Sequence, residues 1–147
     1  MKIVIVSDSH RDSDVLERIV LMNRADYYLH AGDSCVPEML LDPFLAVKGN
    51  CDFYHYPLER LVQTGNVLIY LHHGHAYPLS QMISRAKSFG CQVVIFGHTH
   101  VPMVKVIDGI VVVNPGSVSF PRGGHAKSYA IMTFDTPQNI ECTIMQV

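Results

Sequence analysis

Apolar, β-branched stretches that each break off at a polar cluster constrain this chain more than any other feature. Lys2 to Ser7 runs into Asp8-Ser9-His10, Asp26 to His30 into Ala31-Gly32-Asp33, and Phe44 to Val47 into Lys48-Gly49-Asn50-Cys51-Asp52. Further on, Val67 to Leu71 runs into His72-His73-Gly74-His75, and Val93 to Phe96 into Gly97-His98-Thr99-His100. Stretches this short and this apolar suit strands buried on both faces. Ligands of α/β proteins collect outside the carboxyl ends of strands, so the pattern draws these clusters toward one end of the fold.

The segments between them complete an alternating order. Asp12 or Ser13 caps a helix running to about Arg24, with Val15, Leu16, Ile19, Val20 and Asn23 on its inner stripe. A short helix is expected over Pro37 to Leu41. The opening strand–helix–strand order predicts a parallel sheet with a crossover helix. Glu59 to Gln63 and Val67 to Leu71 flank Thr64-Gly65-Asn66, a hairpin signal. Ser80 to Phe89 reads as a helix closed by Gly90. Asp108-Gly109, between Met103–Ile107 and Ile110–Val113, is the strongest hairpin signal in the chain. Tyr129 to Phe134 and Ile140 to Met145 are late strands. Periodicity supports α/β or α+β, and two sheets packed face to face with helices outside accommodate every element.

At 147 residues the chain fits a single domain, taken here as residues 1–147. Its 48% apolar share and 16% charged share are globular and exclude disorder as a class. A net charge of -2 offers no basic patch for long nucleic acids, but leaves a nucleotide substrate open. No apolar run approaches the roughly twenty residues that span a bilayer, and Ser7 and Asp8 cut short any signal-peptide core. The expected location is the cytoplasm, where Cys35, Cys51, Cys91 and Cys142, with no C-x-x-C pair among them, remain thiols.

Nine histidines is a high number, and their placement carries the chemistry. In extended chain Asp8 and His10 point to the same side, half of a metal site. Taken alone they read as a capping aspartate and a surface histidine, and Gly32-Asp33 and Gly49-Asn50 read as turns. The histidine clusters are sharper, because His-x-His after an apolar strand is a poor way to make a core and a good way to present two imidazoles. His30, His55 and His125 are read as satisfied or surface histidines.

In this order, the clusters resemble the calcineurin-like metallophosphoesterase superfamily, whose pattern is D-x-H, GD, GN, H before G, and GHxH. Here these are Asp8-Ser9-His10, Gly32-Asp33, Gly49-Asn50, His73-Gly74 and Gly97-His98-Thr99-His100. The chain looks most like the small stand-alone bacterial and archaeal phosphodiesterase branch, which writes GNCD as in Gly49-Asn50-Cys51-Asp52. That branch also carries NPGS, as in Asn114-Pro115-Gly116-Ser117, followed here by Pro121-Arg122. The resemblance covers Lys2 to about Phe134. It implies a two-sheet β sandwich flanked by helices in four layers, and a dinuclear metal centre with a bridging hydroxide that attacks phosphorus.

Carried over residue by residue, the resemblance implies that Asp8, His10 and His100 bind one metal and Asn50, His73 and His98 the other, with Asp33 bridging. Oxygen and imidazole donors suit manganese, the favoured ion, as well as nickel, iron or zinc. Strand alternation sends His72 away from the site, toward the sheet packing. Relatives acting on monoesters commonly have GNH where this chain has Gly49-Asn50-Cys51, and that histidine is credited with assisting the leaving group or steadying the phosphate. Cys51 is a poor replacement, so His75 is the nearest candidate in sequence for that role, against the reading of a plain turn histidine. Asn50, His75 and Arg122 are the expected substrate contacts, Ser117 is placed at the pocket border, and Asp52 orients its neighbours; Arg11 either meets a substrate phosphate through paired N–H donors or is solvated beside the helix start, the second reading being preferred.

The expected partner is a small phosphate ester, without long nucleic acid or membrane, in a chain that relatives permit to be a homodimer. A scaffold role on the same fold is the rival reading, since a eukaryotic retromer subunit resembles this branch. Against it, every ligand position is filled by a residue type that binds metal. Phosphomonoesterase and nuclease are the alternatives among enzymes.

Overall fold

The computed structural model describes residues 1–147. Ten strands form two five-stranded sheets. In the first sheet, β1 (Lys2–Val6) lies at the centre, parallel to β2 (Tyr27–His30), which is parallel in turn to β3 (Phe44–Ala46). On its other side, β9 (Ser128–Thr133) and β10 (Glu141–Gln146) add antiparallel strands, giving the order β10-β9-β1-β2-β3. The second sheet runs β4-β5-β6-β8-β7, from β4 (Glu59–Thr64), β5 (Val67–His72), β6 (Val93–Ile95), β7 (Met103–Ile107) and β8 (Ile110–Asn114). Helix α1 (Ser13–Met22) connects β1 to β2 and α2 (Leu79–Ser88) connects β5 to β6, each joining parallel neighbours.

Side-chain alternation sorts the core into three layers of packing between four layers of structure. Ile3 and Ile5 of β1 join Leu29, Ile69, Leu71, Val93, Ile95 and Met132 between the sheets. Val4 and Val6, pointing the other way, pack with Val15, Leu16 and Ile19 of α1. Tyr70, Val94 and Val112 meet Met82, Ile83 and Ala86 of α2 on the far side of the second sheet. Fully burying one such aliphatic side chain contributes about 1.5–3 kcal/mol, so the apolar runs are the main source of stability. The two-sheet sandwich flanked by helices is therefore the observed architecture.

Local signals act largely as expected, with shifts at the ends. The Asp12 carboxylate accepts from the Val15 N–H at 3.2 Å and caps α1. The helix stops at Met22, short of Arg24, because Asn23 is extended and its side-chain amide donates back to the Ile19 carbonyl at 3.0 Å. Pro37 to Leu41 forms only a single 3-10 turn, Glu38–Leu40, with no buried side chain to sustain a longer helix. In the first hairpin Thr64 pairs with Val67, so the turn is Gly65-Asn66 and Thr64 belongs to the strand. Asp108 and Gly109 both take positive φ, 50° and 78°, as a two-residue turn of type I′ requires. Gly90, with φ of 79°, closes α2.

Parallel strands from both sheets end on one rim, and backbone hydrogen bonds lace the loops there. The N–H groups of Asp8, His10 and Arg11 donate to the carbonyls of Gly32, Asp33 and Ser34 at 3.0, 3.0 and 2.8 Å, joining the β1 and β2 loops. The Gly97 N–H donates to the His73 carbonyl at 3.0 Å, joining the β5 and β6 loops. The His98 N–H donates to Asp8 Oδ2 at 3.1 Å and ties one sheet to the other.

Candidate metal centre

Every polar cluster singled out in the sequence reaches this rim. Asp8 Oδ1 lies 3.1 Å from His100 Nε2 and 3.9 Å from His10 Nε2. Asn50 Oδ1 lies 3.0 Å from His73 Nε2 and 3.1 Å from His98 Nδ1. Asp33 Oδ2 stands between the groups, 3.9 Å from His10 Nε2 and 3.3 Å from His73 Nε2. The side chains of Asp8, His10 and His100 form one convergent donor group, and those of Asp8, Asp33 and His73 form another.

The histidines are oriented from behind. His73 Nδ1 donates to the Ala31 carbonyl at 2.6 Å, and His100 Nδ1 donates to the Phe120 carbonyl at 2.5 Å. A proton held at Nδ1 leaves each Nε2 lone pair turned into the cluster, the arrangement that readies an imidazole for a metal. Asp8 Oδ1 and His10 Nε2 are buried without a hydrogen-bond partner. Buried polar atoms without partners are rare and costly, and a divalent cation among these oxygen and nitrogen donors would satisfy them. The residues present therefore fit divalent metal.

Electrostatics agree with a site built for positive charge. Burial alone would raise the Asp33 carboxyl, but the His73 imidazole and the Cys51 N–H hold it well below the usual carboxylate range. Asp8 is likewise pulled down against its burial, by His100, His73 and Ser7, whose hydroxyl donates to Asp8 Oδ2 at 2.6 Å. Burial opposes a charge on His73, yet the carboxylates of Asp33 and Asp8 raise its pKa. Asp8 raises that of His100 in the same way.

The backbone here is strained where side chains usually avoid it. Asp8, His10, Asp33, His98 and His100 have φ of 55°, 43°, 58°, 68° and 60°. Non-glycine residues in this region are uncommon and collect at functional sites. Asp52 holds one of these loops: its carboxylate accepts the N–H groups of Asp33 at 2.9 Å, Cys35 at 2.8 Å and Gly49 at 2.7 Å. This matches the orienting role expected of it.

Other placements refine the sequence reading. His72 turns away from the site as alternation requires, but its face packs on α2, where the ring lies 4.9 Å from that of Tyr77 and 6.3 Å from that of Tyr70. His75 lies against the site, with its ring 5.4 Å from His73 and 6.4 Å from His98. Burial and those two imidazoles lower its pKa. His30 is a satisfied core histidine, accepting the Gly32 N–H at Nδ1 over 3.1 Å and donating through Nε2 to Ser9 Oγ at 2.9 Å. Ser117 does not border the pocket: it is buried, and its hydroxyl donates to the Asp8 carbonyl at 2.8 Å. Arg122 does border it, and so does Arg11, which is exposed as the solvated reading has it yet faces the cavity as its alternative requires. Phe53, Phe120 and Cys35 also line this cavity and carried no motif to announce them. The four cysteines are free thiols.

Comparison with known proteins now gives this architecture a family. Residues 1–137 match the model of the calcineurin-like phosphoesterase superfamily domain. A Bacillus subtilis relative named "Probable metallophosphoesterase YsnB" is 36% identical over 144 residues, covering 92% of this chain and 85% of the relative. Phosphodiesterase YfcE of Escherichia coli K12 is 26% identical over 166 residues, covering 92% of this chain and 89% of that protein. A crystal structure from Streptococcus pneumoniae TIGR4, described as a predicted phosphoesterase, superposes with a TM-score of 0.85 at 28% identity, covering 98% of this chain and 97% of that one. Zinc-complexed Vps29 of Entamoeba histolytica shares the fold, with a TM-score of 0.75 at 18% identity over 99% of this chain and 98% of that one. The family match, with donor groups that fit divalent metal, points to a metal-dependent phosphoester hydrolase. The chain belongs to the calcineurin-like phosphoesterase superfamily.

Proposed function

We propose that this chain is a phosphodiesterase working with two divalent metal ions, Asp8, His10 and His100 holding one, Asn50, His73 and His98 the other, and Asp33 shared. The observation that carries this reading is the position of Asp33 Oδ2 between His10 Nε2 and His73 Nε2, at 3.9 and 3.3 Å. Manganese is the favoured ion, since oxygen and imidazole donors suit it as well as nickel, iron or zinc. Metals held there would supply hydroxide near neutral pH by lowering the pKa of water, and would offset charge on the phosphate oxygens.

The chain's own nucleophiles are poorly placed to attack phosphorus themselves. The Ser7 hydroxyl is committed to Asp8, and that of Ser9 pairs with His30. Burial, together with nearby carboxylates, pushes the Cys35 thiol up to about 11 and raises that of Cys51, so both keep their protons near neutrality. Attack by water through an in-line displacement is the reaction these residues favour.

Preference for diesters rests on Cys51 and His75. A thiol that holds its proton is a weak acid for an alkoxide leaving group, and His75, its pKa lowered, is neutral at pH 7. Neither supplies a strong acid, so esters with good leaving groups are the better substrates. The name of the Escherichia coli relative, a phosphodiesterase, agrees. Asn50, His75 and Arg122 are proposed as the phosphate contacts.

The test compares bis-p-nitrophenyl phosphate with p-nitrophenyl phosphate, using metal-stripped protein with and without manganese. Diester cleavage should need the metal and fall at least about 100-fold in Asp33→Asn, beyond the loss typical of residues that only support a ligand. Lack of turnover with manganese, nickel, iron and zinc alike, together with no manganese binding by calorimetry, would move the assignment to a scaffold.

A further inference from the structure

Beside the metal centre the rim opens into a cavity of about 590 Å³, with His10 and His100 in its wall. That volume falls within the range of about 300–1,000 Å³ usual for small-molecule sites. Phe53 and Phe120 face the same cavity, and they are 89% and 58% exposed. A single exposed aromatic needs no explanation. Two lining one cavity, next to a candidate reaction centre, offer aromatic faces to a ligand there.

Phe120 stands on anchored backbone, and Phe53 follows an anchored neighbour. The Phe120 N–H donates to Ser117 Oγ at 2.8 Å, its carbonyl accepts from His100, and its ring meets His10 edge-on at 5.5 Å. Phe53 follows Asp52, whose carboxylate is fixed by its three backbone donors. The position of Phe120 is thus set before anything binds, which lowers the ordering cost of recognition there.

Arg11 and Arg122 complete the wall. The Arg11 N–H donates to the Ser34 carbonyl at 2.8 Å and the Arg122 N–H to the His100 carbonyl at 3.1 Å, so both backbones are held at the site. Neither guanidinium takes part in an ion pair, although acidic residues outnumber basic ones in the chain. Unpaired guanidiniums at a cavity mouth suit an anionic phosphate, which arginine meets through paired N–H donors.

We propose that this cavity selects phosphodiesters bearing a nucleobase-sized aromatic ring, which stacks on Phe53 and Phe120 while Arg11 and Arg122 draw in the phosphate. The inference rests on the phosphodiesterase reading and adds the class of ester. Bases of any identity present a stackable face, so the cavity recognises a ring rather than a sequence.

Two diesters with the same leaving group isolate that choice: thymidine 5′-(p-nitrophenyl phosphate) and methyl p-nitrophenyl phosphate. With manganese-loaded protein, kcat/KM for the thymidine ester should exceed that for the methyl ester by about tenfold or more, in keeping with the worth of base stacking. In Phe53→Leu/Phe120→Leu the ratio should collapse to within about twofold of unity. Arg11→Gln/Arg122→Gln should instead lower kcat/KM for both esters and leave their ratio intact. A wild-type ratio near unity, or one that survives the leucine substitutions in protein with a native circular dichroism spectrum, overturns the proposal. Calorimetry with thymidine 5′-phosphate and methyl phosphate applies the same ratio to binding. Absence of turnover then counts against the phosphodiesterase reading, while equal affinities count against the aromatic wall.

Discussion

Side chains at the rim divide into those that face the site and those that hold the facing ones still, and histidine appears in both groups. His73 and His100 present Nε2 to the site because Nδ1 is tied to a carbonyl. His30 lies just beneath, with both nitrogens committed, and burial lowers its pKa to about 4. Its folded value lies below the unfolded value of about 6.5, so below pH 6.5 the unfolded chain binds the extra proton. Stability from the neutral ring is complete above pH 6.5 and is lost as pH falls toward 4, by roughly 3 kcal/mol for this group alone. Denaturant unfolding of metal-stripped protein should show a steeper loss over that window in wild type than in His30→Gln, by up to about one proton's worth of slope. Parallel pH profiles would contradict the neutral, buried His30. The satisfied reading of His30 was available from sequence only by elimination. Phe53 and Phe120 were not legible, because one aromatic in a loop looks the same whether it lines a cavity or meets bulk water; Arg11 was marked by its place after Asp8-Ser9-His10, but the sequence could not decide between phosphate contact and solvent.

Elements set which of these residues can meet. In β5, Val67, Ile69 and Leu71 face the other sheet, so His73 continues that face into the site while His72 continues the face of Tyr70 toward α2. Alternation made that division readable, although it could not say which layer His72 would join. Loop approach is equally strict at Gly49, where an added Cβ would collide with the backbone N and the carboxylate of Asp33. Gly49→Ala should therefore displace the Asp33 carboxylate, costing about 1–3 kcal/mol as overpacking does. It should also weaken manganese binding by at least about tenfold, as lost support around a ligand does. Calorimetry reads the affinity and thermal unfolding the stability; wild-type values for both would show that the loops have room to part. Turn chemistry was legible where two residues force it, as at Asp108-Gly109. It was less so at Pro37 to Leu41, where the expected short helix is a single 3-10 turn whose Met39 and Leu40 stay exposed and give it nothing to pack on.

The whole molecule brings ends of parallel strands from separate sheets onto one rim. Each polar cluster was visible in the sequence, and their order carried the family resemblance. Their convergence depends on pairings such as β1 with β9 and β6 with β8, between segments far apart in the chain, which local periodicity does not encode. The sandwich makes those pairings cooperative: Ile3, Ile69, Ile95 and Met132 share one buried layer, and the His98 N–H bond to Asp8 crosses between the sheets above it. Metal bound at the rim would then stabilise both sheets together, since a ligand held at 100 times its Kd adds about 2.7 kcal/mol to folding. The most direct test of the two-metal account is a titration of metal-stripped protein with manganese, following bis-p-nitrophenyl phosphate hydrolysis and bound metal in the same samples. Activity should rise to its plateau at two equivalents per chain, with Asp33→Asn retaining neither the stoichiometry nor the turnover. A plateau at one equivalent, or two bound equivalents with no turnover of the diester, would contradict it.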